Sequence, residues 1–212
     1  MLPRLLGPLA LLAAASISSA QRPIEITFLH TNDLHAHIEP TVIKGKAYGG
    51  YARLATLIAQ DRKREKNVVL LNAGDTFQGT LYFNVYEGLA DAPLLNLMGY
   101  DAGTLGNHEF DKGTGPTTTY ADALGFPLVA ANLKFGPNQA GFASRIKPSV
   151  VLTVAGQRVG VVGIVTPDTP NISSPGEGVE FLDPYASAQA EVDRLTAQGI
   201  NKIVLLTHIG YD

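Results

Sequence analysis

The sequence predicts an α/β fold, and three observations carry that prediction. From residue 24 onward short apolar runs alternate with amphipathic stretches, the runs are rich in Val, Leu and Ile, and polar, Gly- or Pro-containing turns separate them. With 212 residues, 45% of them hydrophobic and 17% charged, the chain can bury a sizeable core, and disordered and collagen-like classes are excluded.

The elements follow in order. Ile24 to His30 is the first expected strand. Tyr51 to Arg64 carries Leu54, Leu57 and Ile58 on one helical stripe, and Asn67 to Asn72 is a Val/Leu run suited to a strand covered on both faces. Leu89 to Met98 reads as a helix ended by Gly99. Tyr100 to Leu105 is a further strand, before a glycine-interrupted loop and a short helix around Tyr120 to Leu124. Pro127 to Asn132 is again strand-like, and Val150 to Val154 with Arg158 to Val165 forms a hairpin around Ala155-Gly156-Gln157. Thr166 to Pro184 holds four prolines and is expected as a surface loop. A helix over Tyr185 to Gln198 and a strand over Ile203 to Thr207, delivering His208, end the pattern. No internal repeat, low-complexity segment or interdomain linker is visible.

The N-terminus has its own logic. Arg4 follows Met1, an apolar stretch runs from Leu5 to Ala15, and Ser18-Ser19-Ala20 precede Gln21. That layout is a secretory signal peptide over residues 1–20, cleaved after Ala20, and its apolar run is too short to span a bilayer. The expected organisation is therefore a signal peptide followed by one catalytic domain over 21–212, located in the periplasm or cell envelope or secreted, with no stable membrane span after cleavage. The formal charge of −3, a pI near 5.9 and a single basic cluster, Arg62, Lys63, Arg64 and Lys66, argue against nucleic acid as a partner. Those cations stand at the end of an expected helix, where they suit its dipole. The absence of cysteine excludes disulfides, thiolate zinc sites and a cysteine nucleophile.

The chemistry gathers at strand ends. Asp33 and His35, two residues apart, point the same way in extended chain and can reach one ion, although such a pair alone also fits a turn. Asp75 closes Asn72-Ala73-Gly74-Asp75 at a strand's carboxyl end, where sites in α/β sheets lie, and one carboxylate can bridge two cations; a helix cap is the alternative. Gly106-Asn107-His108-Glu109-Phe110-Asp111 is far more specific. Asn107 offers a hard neutral oxygen, and the three-residue spacing lets Asp111 orient the His108 imidazole. His208 leaves the last strand. His37 is read as a surface or supporting residue, His30 as part of the first strand's packing, and Glu109 as a support for its loop. Asn171-Ile172-Ser173 fits the glycosylation triplet of eukaryotic hosts.

Ile26 to His37, Gly74-Asp75, Gly106 to Asp111 and Thr207-His208, in that order, resemble the motif series of the 5'-nucleotidases in the calcineurin-like metallophosphoesterase superfamily. The resemblance covers essentially the whole chain after residue 20. It implies a metallophosphatase-type α/β/β/α sandwich of two mixed sheets flanked by helices. It implies two divalent metal ions, zinc, manganese or similar, with Asp33 and His35 on the first, Asp75 bridging, and Asn107 and His208 on the second. His108 and Asp111 then form the catalytic dyad. The implied reaction is hydrolysis of phosphate esters outside the cytoplasm, on 5'-nucleotides, UDP-sugars or 2',3'-cyclic nucleotides.

The family continues beyond the equivalent of His208 with a Gly-His-x-His-type segment and a C-terminal substrate-binding domain. Here the sequence stops at Asp212, so the expected sandwich is incomplete at its C-terminus and the metal site short of ligands. Two competing readings follow: a non-catalytic metal- or phosphate-binding remnant, and a thiosulfohydrolase-like member of the same superfamily.

Overall fold

The structure, a computed structural model, describes residues 23–210; the expected signal peptide lies outside the described residues. The chain begins with β1 (Thr27–Thr31), a small hairpin of β2 (Thr41–Ile43) and β3 (Lys46–Tyr48), and α1 (Tyr51–Arg64). β4 (Val68–Asn72), α2 (Leu81–Tyr86), α3 (Ala92–Met98) and β5 (Ala102–Thr104) follow. Next come α4 (Thr114–Ala123), β6 (Leu128–Val129), β7 (Leu133–Phe135), α5 (Ala140–Ala143) and β8 (Ile146–Lys147). The last elements are β9 (Ser149–Val154), β10 (Gln157–Val165), α6 (Thr169–Ile172), β11 (Val179–Phe181), α7 (Pro184–Ala197) and β12 (Ile203–His208).

Two sheets form the centre of the expected sandwich. The larger has the order β1-β4-β5-β6-β8, parallel at every pairing, and the smaller, β12-β10-β9, is the mixed one. Alternation along each strand decides the layers. Val69, Leu71 and Ala102 point between the sheets and meet Val159, Val161 and Leu206. Leu70 and Leu128 point the other way, into a larger core with Ile58 of α1, Leu95 and Met98 of α3 and Tyr120 of α4. On the far side Leu195 of α7 and Ile200 cover Val162. The sheets meet so closely that a Cβ at Gly163 would lie 1.9 Å from the Val129 carbonyl, so β10 can cross there only as glycine.

Several expectations shift for identifiable reasons. α1 spans the residues its stripe predicts, but Arg62 is more than a solvated cation: its guanidinium donates to the Met98 and Gly99 carbonyls at the end of α3. α7 begins at Pro184, one residue early, because Asp183 caps it by accepting from Ala186 N at 2.7 Å. The expected helix at Leu89 begins only at Ala92, behind Asp91 and with Pro93 in its first turn. The largest correction is Thr166 to Pro184, which is not a plain loop. It contains α6 and then β11, which pairs antiparallel with β7. That pairing joins residues more than 40 positions apart and leaves no local pattern. His30 also departs from expectation. It is exposed, with Phe28, along a groove of about 560 Å3 between β1 and β12, the end strands of the two sheets among the described residues.

Candidate metal centre and its proton-handling pair

β1, β4 and β5 run parallel, so their carboxyl ends open on one edge of the larger sheet, and β12 brings His208 to the same edge from the smaller one. Turns leaving β1 and β4 are laced together: Asp33 N donates to Gly74 O at 3.0 Å, His35 N to Asp75 O at 3.1 Å and Ala36 N to Thr76 O at 2.8 Å. The extended geometry expected for Asp33 and His35 is not what forms. Asp33, His35, Ala36 and Asp75 all have positive φ, between 47° and 55°, a left-handed conformation that costs such residues about 1–2 kcal/mol each. Inter-loop hydrogen bonds hold them there, and the side chains still converge.

Two groups of potential ligands result. Asp33, Asp75 and His208 bring one ligand atom each within 4.8 Å of one another, and so do His35, Asp75 and His108. Asp75 belongs to both. Its Oδ1 accepts from His108 N at 2.9 Å and its Oδ2 lies 3.1 Å from His208 Nε2. The approach depends on glycine, since a Cβ at Gly106 would fall 2.0 Å from Asp75 Oδ1. Asn107, half-buried, begins the turn that carries His108. His37 is exposed outside both groups and lines, with Asp33, Tyr48, Arg53 and Leu57, a neighbouring groove of about 630 Å3.

The donor chemistry fits divalent cations. His35 Nδ1 lies 2.9 Å from the Phe77 carbonyl and His208 Nδ1 2.8 Å from the Ala73 carbonyl. A carbonyl only accepts, so each Nδ1 carries the hydrogen and each Nε2 is the atom facing the carboxylates, the arrangement of metal-ligating histidines. Burial opposes charge on His208, but the hydrogen bond and charge of Asp75 prevail and raise it to about 9. Burial also pushes Asp75 up, and the His208 bond and charge with the His108 amide more than offset this, leaving it below the usual carboxylate range. Such a His–Asp pair is one whose proton a cation displaces on binding.

His108, a member of the second group, has its Nδ1 2.7 Å from Asp111 Oδ2. Burial works against the imidazolium, while the Asp111 bond and the Asp75 charge outweigh it and raise the His108 pKa. The sequence pointed to this pair; it did not show what holds it. Glu109, 2% exposed, accepts at Oε2 from Gly106 N (2.6 Å) and Asp75 N (2.9 Å), and at Oε1 from Thr76 N (2.8 Å) and Phe77 N (3.1 Å). One buried carboxylate thus ties the Asp75 turn to the Gly106 turn. Burial and the Asp75 charge push Glu109 up, against the Gly106, Phe77 and Asp75 amides.

Comparison with known proteins shows the family. Residues 26–211 match the model of the calcineurin-like phosphoesterase family. The chain is 44% identical over 211 residues to a 5'-nucleotidase of Diplobatis ommata, covering 96% of this chain and 36% of that protein. Among solved structures, a 5'-nucleotidase precursor from Thermus thermophilus superimposes with a TM-score of 0.82 at 47% identity, over 88% of this chain and 37% of that one. An NAD nucleotidase from Haemophilus influenzae gives 0.81 at 37% identity, over 88% and 34%. The chain therefore spans just over a third of the length of these relatives.

Proposed function

Because the chain belongs to the calcineurin-like phosphoesterase family, we propose that it hydrolyses phosphate esters with two divalent cations, and that its substrates are 5'-nucleotides or related nucleotide esters outside the cytoplasm. The observation that carries this reading is the position of Asp75 in both ligand groups, one of which includes His108 of the His108–Asp111 pair. The nucleotide preference is supported by the names its relatives bear. The location is supported by Arg4 and the apolar Leu5 to Ala15 stretch.

In this reading Asp33, His35 and Asp75 would hold one cation and Asp75, Asn107 and His208 the other; the described side chains group differently, Asp33 with His208 and His35 with His108, and only the sharing of Asp75 is common to both arrangements. When bound, such ions supply Lewis-acid charge at a phosphoryl group and make water a competent nucleophile near neutral pH. The chain's own residues do the rest. Phe77 O and Ala73 O keep the Nε2 atoms of His35 and His208 turned inward. With Nδ1 committed to Asp111, His108 holds its second proton at Nε2, where it can neutralise a phosphoryl oxygen or pass to the departing alkoxide. Asp111 keeps the ring aligned.

The test is turnover of 5'-AMP and bis(p-nitrophenyl) phosphate by the full chain with added manganese or zinc. We expect metal-stimulated hydrolysis, abolished by chelator and lowered about 10²- to 10⁴-fold by His108→Ala. A folded sample that binds metal calorimetrically yet shows no stimulated hydrolysis refutes the reading for this chain and leaves a binding remnant.

A further inference from the structure

Asp111 is held from two sides. Its Oδ2 engages His108 Nδ1 at 2.7 Å, and its Oδ1 accepts from the Ser173 hydroxyl at 2.8 Å, a residue 62 positions away. Ser173 lies in the proline-rich segment after β10, and several contacts fix it there. The Asn132 side chain accepts from Val165 N at 3.0 Å and donates to Val165 O at 2.7 Å, anchoring the end of β10. Thr169, fully buried, donates its hydroxyl to Thr166 O at 2.7 Å, and Ser173 N closes the single turn of α6 on Thr169 O at 2.9 Å. Ser173 itself is extended, with φ −148° and ψ −166°. Its hydroxyl is therefore delivered to Asp111 by an anchored segment.

A carboxylate held through one oxygen turns easily about its terminal torsion, which has a broad, two-fold profile. A second donor on the other oxygen fixes its plane, and hydroxyl bonds to an ionised acceptor are among the stronger ones. Whatever fixes the plane of Asp111 also fixes the direction of the His108 ring, because Nδ1 follows the carboxylate and Nε2 is rigidly opposite. We propose that Ser173 is a positioning residue for His108: its hydroxyl locks the Asp111 carboxylate in the plane that receives His108 Nδ1–H, and so sets where Nε2 presents its proton. The assignment rests on reading His108 and Asp111 as the proton-handling pair.

Proton NMR of the full chain tests the geometry without requiring turnover. The Nδ1–H of His108 gives a downfield resonance, identified by its loss in His108→Ala. Ser173→Ala broadens it away or moves it upfield, whereas Ser173→Thr, which keeps the hydroxyl and suits extended backbone, retains it. An unchanged resonance in Ser173→Ala overturns the proposal, and so does its absence from the unsubstituted chain. Turnover supplies the second arm. Ser173→Ala lowers kcat about tenfold at unchanged KM, Ser173→Thr restores it, and the loss disappears in an Asp111→Ala background. An equal loss in both backgrounds marks a general folding effect and overturns the assignment. Failure of the underlying reading looks different: His108→Ala would leave turnover untouched while Ser173→Ala still erased the resonance.

Discussion

Glu109→Gln is the substitution that tests the architecture of the site most directly. Each carboxylate oxygen of Glu109 accepts two backbone N–H groups, from Gly106 and Asp75 on one side and Thr76 and Phe77 on the other. Glutamine is almost isosteric, yet one of its termini is an NH2 that only donates. Whichever way it turns, two buried N–H groups lose their acceptor and face another donor. An unsatisfied buried donor costs about 1–3 kcal/mol, so the pair costs about 2–6 kcal/mol. Relief of the burial penalty on the charge and of its repulsion with Asp75 offsets part of this. We therefore expect a net destabilisation of about 2–4 kcal/mol, within the 5–15 kcal/mol or so of a typical domain, so the variant still folds. The assay is urea unfolding followed by circular dichroism at pH 7 in chelator, which removes any contribution from bound metal. A change below about 0.5 kcal/mol refutes the argument, because it would mean that the carboxyl is neutral and that the four amides do not depend on its charge.

Three further outcomes are expected. Gly106→Ala places a Cβ 2.0 Å from Asp75 Oδ1, so the turn must open; calorimetry with manganese should show affinity falling about 10- to 100-fold, and an unchanged affinity would sink the idea. Manganese or zinc at a hundredfold excess over Kd should add about 2.7 kcal/mol of stability, read as a thermal shift; Asp75→Ala, which strikes both ligand groups, should remove more of that shift than Asp33→Ala, and the reverse order contradicts a shared Asp75. Asp91, fully buried, accepts from the Tyr51 hydroxyl at 2.7 Å, and burial raises its pKa from 3.8 to about 6. The folded state then binds a proton that the unfolded chain has already lost, so stability falls by about 3 kcal/mol as pH rises from about 4 to 6 and is flat above. Urea titrations of Asp91→Asn over that range should lack this slope relative to the parent; parallel curves would contradict the assignment.

Much of the fold was legible because it rests on local periodicity. The stripe Leu54, Leu57, Ile58 marked α1 correctly, and the Val/Leu run before Asn72 marked β4, because a helix face and a doubly covered strand each impose a spacing visible in one dimension. The hairpin of β9 and β10 was visible for the same reason. Elements stabilised from afar were not. α4 starts at Thr114, well before its expected position. Its Thr- and Gly-rich first turn has little propensity, but Thr117 bonds to the Glu109 carbonyl and Tyr120 is buried in the core.

What the sequence by itself offered is the list of candidates and their order along the chain, Asp33, His35, Asp75, Asn107, His108, Asp111 and His208, at or in the turns after the ends of apolar runs. Only the tertiary structure decided how they meet. It replaced the extended Asp33–His35 pair with left-handed turns laced to the next loop, brought Asp75 into both ligand groups, set Glu109 under them as a four-amide clamp, and carried Ser173 from an expected loop to the far side of Asp111. The physical reason is range. Periodicity and turn chemistry act over a few residues, whereas the bonds that aim these side chains join segments from about 30 to 135 positions apart and exist only once the two sheets have packed.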